Sequence, residues 1–104
     1  MLLTCNQKKG YIMSVFIVTL KKSAEKSARK MPKPEQMKLA QLMAALRSSG
    51  PVQPSFMNFS KLGEGNYHCH LSLHWVACWK NEKGTLTIEV YYAGSRESAP
   101  YAKH

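Results

Sequence analysis

Residues 67–79 read YHCHLSLHWVACW, and their polarity changes character halfway along. The first half alternates, which is the pattern of a strand with one face in a core and one face open. The apolar set that we expect in the core consists of Tyr67, Cys69, Leu71 and Leu73. The polar set that we expect on the open face consists of His68, His70, Ser72 and His74. From Trp75 to Trp79 every residue is apolar, which predicts a strand buried on both faces. Three of the four histidines therefore share one polar face.

The chain has 104 residues, of which 44% are hydrophobic, enough for one domain with a core of its own. We expect a single domain over residues 13–104, with residues 1–12 as a tail or an extra strand. The formal net charge is +9, and ten of the 15 Lys and Arg lie within residues 1–47. Such a balance predicts an anionic partner, which is a nucleic acid, an anionic membrane surface or an acidic protein.

Cysteine usage and hydropathy indicate where the protein works. The three cysteines are an odd set without repeating spacing, so a disulfide framework is not expected. Cys69 and Cys78 look like small core residues of a reducing compartment. The apolar run at residues 11–20 is too short for a membrane span, which needs about 20 residues. These features favour the cytoplasm, with no membrane association.

The first part of the chain predicts a strand followed by two helices. Residues 14–20 are rich in β-branched side chains and predict the first strand. A helix is expected from Ser23, as its N-cap, to Met31, and a second one begins at Pro34 and ends before Gly50. The first helix is dense in basic residues that are expected on its solvent side: Lys22, Lys26, Arg29, Lys30 and Lys33. The second helix carries an apolar stripe: Leu39, Leu42, Met43 and Leu46.

The second part of the chain predicts a loop and an antiparallel meander. Residues 51–65 read as a loop with a short strand at residues 56–59. After the central stretch, residues 81–84 predict a hairpin turn with Gly84 at a position of positive φ. Residues 85–93 then alternate, with an inward set of Leu86, Ile88, Val90 and Tyr92. The fold class is therefore α+β: a strand, a two-helix hairpin packed on one sheet face, and a three-stranded antiparallel meander.

A zinc site is the first chemistry to consider, because His68, His70, His74 and Cys78 share parity. Ten residues of extended strand span about 30 Å, so Cys78 cannot reach His68 unless the chain folds back. His68 and His70 alone supply half a site. We therefore expect neither a metal nor a cofactor.

The order of elements and several local motifs resemble the RelE/ParE family of bacterial toxins. The landmarks are the basic helical hairpin, NFSKLG at residues 58–63, YHCHL at residues 67–71, and YAGSRE at residues 92–97 followed by Tyr101. The resemblance extends from Val15 to Tyr101. It implies a RelE-like fold and, for RelE-type members, metal-independent cleavage of messenger RNA on the ribosome by attack of a 2′-oxygen on the adjacent phosphate.

The resemblance also implies the roles of particular residues. Positions of two basic residues on the strand after the loop correspond to His68 and His70, where the family usually has Lys or Arg. A further Arg corresponds to His74, the closing Arg to Arg96 and the terminal aromatic to Tyr101. Lys61 is expected to hold a neighbouring phosphate, and the basic first helix is expected to bind ribosomal RNA.

Histidines suit this chemistry because their pKa lies near neutrality, so one can act as base and the other as acid. Two residues apart on a strand face is roughly 6.5–7 Å, enough to flank one phosphodiester. Which histidine takes which role stays open. Arg96 would stabilise the negative charge of the phosphorane, and Tyr101 would stack on a base or assist proton transfer.

Two other functions remain open. A ParE-like member inhibits a protein target such as DNA gyrase without catalysis, and an inactive member only binds its antitoxin. All three readings imply a cognate antitoxin, an acidic protein that complements the net charge of +9. The nuclease reading adds the ribosome and its messenger RNA as partners, with the toxin as a monomer in its antitoxin complex.

Overall fold

The computed structural model describes residues 15–102. The tail or extra strand expected at residues 1–12 lies outside this range. The elements are β1 (Ile17–Leu20), α1 (Lys22–Ala28), α2 (Lys33–Ser49), β2 (Ser60–Gly63), β3 (Asn66–His70), β4 (Trp75–Asn81), β5 (Thr87–Ser95) and a 3₁₀ turn (Pro100–Ala102). The expected α+β class is confirmed. None of the helices in residues 15–102 is long and apolar enough to cross a membrane.

Five strands form one mixed sheet in the order β1-β5-β4-β3-β2. The last four strands make an antiparallel meander, while β1 runs parallel to β5. The expected meander of three strands therefore has four. The two helices carry the chain from β1 across to β2 at the far edge of the sheet, so β1 and β5 are neighbours without a direct connection. Such distant strands can pair in parallel, as β1 and β5 do.

The stretch at residues 67–79 is two strands instead of one. The chain reverses at residues 71–74, and β3 pairs with β4 so that His68 lies opposite Cys78 and His70 opposite Val76. The N–H of Leu71 donates to the carbonyl oxygen of Trp75 at 2.7 Å and closes the turn. Leu73, expected in the core, is 66% exposed because it lies in this turn. Alternation therefore holds as far as Leu71, which is 4% exposed and lies in the core as expected.

The loop before β3 also differs from expectation. No strand forms at residues 56–59; the strand is β2, which pairs with β3 through a tight turn at Gly65. Gly65 has a φ of +65°. A Cβ added there would lie 2.6 Å from the carbonyl oxygen of Asn81. The N–H of Asn81 donates to the carbonyl oxygen of Gly65 at 2.8 Å, so this turn is held directly against the end of β4.

The sequence signals are followed closely at both ends of α2 but not at the ends of α1. Helix α2 has Pro34 in its first turn, and Gly50, whose φ is +94°, caps its C-terminal end. Helix α1 begins at Lys22 with Lys21 as N-cap, so the expectation of Ser23 as N-cap is wrong, and it ends at Ala28, before Met31. The buried apolar residues of α2 are those of the expected stripe: Leu39, Leu42 and Leu46.

The core lies between the helices and one face of the sheet. The strands contribute Tyr67, Cys69, Trp75, Ala77, Trp79, Ile88, Val90 and Ala93, and the turn after β3 adds Leu71. Trp79 is fully buried, and its Nε1–H donates to the carbonyl oxygen of Pro51 at 2.9 Å. Leu86 and Tyr92 do not join this core, contrary to expectation. Leu86 precedes β5 and is 54% exposed. A bulge opposite Cys78 and Trp79 then shifts the parity of β5, so Ala93 turns inward instead of Tyr92.

The opposite face of the sheet, which we call the outer face, is also covered. Val76 and Cys78 are fully buried on it, and His68 and His70 are each 8% exposed. The chain after β5 turns back over this face, where Ala99 is fully buried and Tyr101 packs against His68. Residues that looked like an open polar face therefore lie in a partly enclosed site.

The turn at Gly65 gives a direct test of the fold. Gly84 also has a positive φ, +78°, but no described atom lies within 4 Å of a Cβ added there. Gly84→Ala should lower the free energy of unfolding by about 1–2 kcal/mol, the cost of a left-handed alanine. Gly65→Ala should lower it by about 1–3 kcal/mol more, because the new methyl group meets backbone. Equal losses in urea unfolding would contradict this packing.

Candidate active site on the outer face

His68 and His70 form the centre of the site. Both lie on β3 and point to the outer face, and their ring centroids are 5.7 Å apart. Burial lowers the pKa of His68 below 6.5, the positive charge of His70 lowers it further, and a hydrogen bond with the backbone of Ser60 acts in the opposite direction. Burial also lowers the pKa of His70, followed by the charge of Arg96. Both imidazoles are therefore neutral at pH 7.

Two residues that the sequence analysis did not select hold these rings. Ser60 Oγ lies 2.9 Å from His68 Nδ1, and Asn58 Nδ2 lies 3.4 Å from His70 Nδ1. Asn58 has a φ of +53°, which few residues other than glycine adopt. The only sign of this role in the sequence is that Asn58 is an asparagine, which tolerates a positive φ better than most residues do. Because both contacts use Nδ1, Nε2 is the nitrogen that each ring can present to a substrate.

Tyr101 closes one side of the site. Its ring centroid lies 4.4 Å from that of His68, with the planes inclined by 50°. Its hydroxyl group is buried and has no hydrogen-bond partner among the described residues. Burial raises the pKa of Tyr101, so the phenol is protonated at neutral pH. A buried hydroxyl without a partner costs free energy, and a substrate oxygen would satisfy it.

Arg96 follows β5 and approaches from the side of His70. Its backbone N–H donates to the carbonyl oxygen of His74 at 2.8 Å. The side chain is exposed, and its charge lowers the pKa of both His70 and Tyr101. The structure therefore brings His68, His70, Arg96 and Tyr101 together on one face, although they come from three separate parts of the chain.

Two supporting residues of the sequence analysis lie elsewhere. His74 is exposed in the turn between β3 and β4, so it does not share the strand face of the other histidines; its backbone contacts Arg96 instead. Lys61 pairs with Tyr67, while its neighbour Ser60 pairs with His68. Since strand residues alternate, Lys61 points to the side opposite the histidines.

The basic residues of the first helical segment are all exposed: Lys22, Lys26, Arg29, Lys30 and Lys33. Arg29 forms an ion pair of 2.8 Å with Glu25, which offsets part of its charge. Lys30 borders a shallow depression that Ser95 and Ser98, the residues around Arg96 in sequence, also line. The basic surface therefore continues from α1 towards the site.

The structure removes the distance argument against a metal site but adds two other arguments against one. The chain does fold back, so Cys78 lies opposite His68 and the separation of about 30 Å expected for a continuous strand does not apply. Burial, however, raises the pKa of Cys78 to about 12, which keeps the thiol protonated and unsuited to a metal. Within residues 15–102, no three His, Cys or Glu side chains are arranged to hold a metal ion.

The lowered histidine pKa values predict how stability depends on pH. In the unfolded chain both histidines have a pKa near 6.5, whereas in the folded protein their pKa values are lower. The free energy of unfolding is therefore at its full value above about pH 6.5 and decreases as the pH falls below it. The double variant His68→Gln/His70→Gln should flatten this loss between about pH 7.5 and 5.5 in urea unfolding. His74→Gln, which replaces an exposed histidine, should keep the slope of the parent. A double variant with the parental slope would contradict the burial of the pair.

Among known proteins, only solved structures show a significant similarity to this chain. No family model matches it, and no curated protein sequence is a significant match. The crystal structure of an archaeal RelE–RelB complex from Pyrococcus horikoshii is similar, with a TM-score of 0.65 at 14% identity over 82% of this chain and 99% of that one. The free E. coli toxin RelE, as a mutant, gives 0.63 at 15% identity over 86% and 90%. The toxin in the E. coli DinJ–YafQ toxin–antitoxin complex gives 0.62 at 16% identity over 78% and 92%. The chain therefore has the fold of the RelE-like toxins, as its motifs led us to expect.

Proposed function

We propose that this protein is the toxin of a toxin–antitoxin pair and cuts messenger RNA on the ribosome without a metal ion. The observation that carries the proposal is the grouping of His68, His70, Arg96 and Tyr101 on the outer face of a RelE-like fold. Such a set supplies two proton-transfer groups, one permanent positive charge and one hydroxyl group. These are the functional groups that cleavage of a phosphodiester by its own ribose requires.

The reaction begins when a base takes the proton of the ribose 2′-hydroxyl. The 2′-oxygen forms a bond to the adjacent phosphorus, and the bond from phosphorus to the 5′-oxygen of the next nucleotide breaks. An acid gives that 5′-oxygen its proton. The products are a 2′,3′-cyclic phosphate and a 5′-hydroxyl, so atoms and charge balance without a co-reactant. One base, one acid and one stabilising charge are sufficient.

The contacts of the two rings favour an assignment that the sequence left open. Ser60 Oγ lies 2.9 Å from Nδ1 of His68; in the tautomer whose Nδ1 proton this oxygen accepts, Nε2 keeps a lone pair, which suits the base. Asn58 lies 3.4 Å from Nδ1 of His70, and its amide group, turned so that the oxygen faces the ring, accepts the Nδ1 proton of an imidazolium. His70 then carries protons on both ring nitrogens and gives up the one on Nε2, which suits the acid. We therefore assign His68 as the base and His70 as the acid.

Arg96 and Tyr101 complete the site. Because the charge of Arg96 is felt by both His70 and Tyr101, a phosphate between these side chains would lie beside the guanidinium. Its fork of donors suits the two non-bridging oxygens of the phosphorane. The buried hydroxyl of Tyr101 is a further donor, and its ring offers a surface for a nucleotide base.

The charge of the protein supports its proposed partners. The exposed basic residues around α1 suit the ribosomal RNA backbone, and the net charge of +9 suits an acidic antitoxin. In this proposal the toxin works in the cytoplasm, where ribosomes are, and is held inactive as a monomer in its antitoxin complex. Lys61 lies away from the histidines, so we leave it out of the catalytic set and retain it as an RNA-backbone contact only.

Single-turnover cleavage of messenger RNA on programmed ribosomes tests the roles. Arg96→Ala should slow cleavage by roughly a hundred- to a thousandfold, the usual loss of a transition-state donor. His68→Gln and His70→Gln should each slow it by about a hundredfold or more. In the plot of kcat/KM against pH, His68→Gln should flatten the limb that rises with pH, because the base must lose its proton. His70→Gln should flatten the limb that falls, because the acid must keep its proton. Since both pKa values are lowered, the maximum should lie below about pH 6.5.

Lys83→Ala is the matched control for Arg96→Ala, because it removes an exposed positive charge from the β4–β5 hairpin, in a different part of the chain. It should cut at the parental rate. The proposal is wrong if correctly folded histidine and Arg96 variants also cut at that rate. Growth arrest with intact messages and broken chromosomal DNA would instead favour the gyrase inhibitor.

A further inference from the structure

A cleft of about 340 Å³ begins beside His70 and is not used by the reaction described above. It lies between helix α2 and the loop at residues 55–57, which precedes β2, at the end of the sheet where β3 ends. Its lining includes Lys38 and Gln41 from α2, Phe56 and Met57 from the loop, and His70 itself. Its size falls in the range of about 300–1,000 Å³ typical of sites for small molecules.

The helical wall of the cleft is polar. Lys38 and Gln41 are three residues apart on α2, so they project from the same side of the helix. Both are exposed, whereas Leu39 and Leu42 between and beside them are buried in the core. This wall therefore offers one positive charge and one amide group, which both donates and accepts hydrogen bonds.

The opposite wall is apolar and firmly held. The N–H of His70 donates to the carbonyl oxygen of Met57 at 2.7 Å, and the N–H of Phe56 donates to the carbonyl oxygen of Gln53 at 3.1 Å. Phe56 packs against the core and also lines the cleft, while the side chain of Met57 is largely exposed. The wall combines a ring with a polarisable thioether, which suits a flat aromatic group.

We infer that this cleft binds the base of the nucleotide immediately downstream of the cut, so that Gln41 and Met57 set a preference at that position. The inference rests on the proposed function, and specifically on His70 as the acid. His70 protonates the leaving 5′-oxygen, so the downstream nucleotide lies on its side of the site, where the cleft opens. A flat base lies against the wall that Phe56 and Met57 form, and Gln41 on the opposite wall reads its edge.

Charge supports the same occupant. A downstream nucleotide carries its own 3′-phosphate, and Lys38 at the cleft wall can neutralise it. An apolar ligand would leave Lys38 and Gln41 unused, and an acidic peptide would leave Phe56 and Met57 without a flat partner. A nucleotide uses all four side chains, together with the direct connection to His70.

The first experiment measures kcat/KM on programmed ribosomes for two sets of messages. One set differs only in the nucleotide downstream of the cut, and the other only in the nucleotide upstream. Gln41→Ala and Met57→Ala change exposed side chains, so the fold should persist. Gln41→Ala should reduce the downstream preference by about fivefold, as expected for one hydrogen bond, and Met57→Ala should reduce it as well. The upstream preference should not change.

Met37→Ala is the matched control, because Met37 is an exposed methionine of α2 that does not line the cleft. It should keep the parental preference at both positions. If Gln41→Ala and Met57→Ala both keep the downstream preference of the parent, the inference is overturned. It is also overturned if they change upstream and downstream preference equally.

The second experiment does not depend on activity. The full chain with isotope-labelled methionine methyl groups is titrated with each nucleoside 3′,5′-bisphosphate, and the methyl resonances are followed by NMR. The Met57 methyl should shift while that of Met37 does not, and Lys38→Ala should weaken binding by about fivefold. If the Met57 methyl resonance does not shift with any nucleotide, the proposed binding of a nucleotide in the cleft is overturned.

The two experiments separate failure of the cleft from failure of the proposed function. If the Met57 resonance shifts with a bisphosphate but the protein cuts no RNA, the nucleotide site is supported and the nuclease proposal is wrong. A protein that cuts RNA with an unmoved Met57 methyl and unchanged preference retains the nuclease proposal and loses the cleft. Binding together with an altered downstream preference supports both.

Discussion

The turn at residues 71–74 is the constraint on which the site depends. By reversing the chain, it pairs β3 with β4 and sets His68 opposite Cys78 on the outer face. Its own backbone is closed by the bond from Leu71 to Trp75, and its last carbonyl, that of His74, receives the N–H of Arg96. One turn therefore positions both the strand that carries the histidines and the segment that carries the arginine. The pairing also buries Cys69 and Trp79 on the helical side, so the free energy of the core holds the site in place.

Unfavourable features collect around the same place. Two histidines are nearly buried, the hydroxyl group of Tyr101 has no hydrogen-bond partner in the described range, and Asn58 has a positive φ. Each of these costs free energy that ordinary packing would avoid. Their coincidence within one site distinguishes it from the polar depression around Lys80 and Glu89, where the two side chains form a 3.8 Å ion pair with each other. Features that destabilise the fold at one site are typical of residues kept for function.

Sequence patterns were informative where local chemistry controls the structure. The proline and glycine of α2, its leucine stripe and Gly84 all act through neighbouring residues, and each was predicted. The turn at residues 71–74 was missed because it contains none of the strongest turn residues, Gly, Pro, Asn and Asp, and its single serine fits the alternating pattern equally well. Parity placed His68 and His70 on one face but failed for His74, beyond the turn. Arg96 and Tyr101 came only from family resemblance, since no local pattern connects them to β3. Ser60 and Asn58 depend on the register of β2 and on one loop conformation, which the sequence does not specify.

The most direct test of the central claim is the chemistry of the cut itself. A message with a single 2′-deoxynucleotide upstream of the cleavage position is compared on programmed ribosomes with an all-ribose message. If the 2′-oxygen is the nucleophile, the all-ribose message should yield a 2′,3′-cyclic phosphate and a 5′-hydroxyl, and the deoxy message should remain uncut at that position. Cleavage of the deoxy message, or products that end in a 5′-phosphate, would show that water attacks instead and would contradict the assigned roles of His68 and His70.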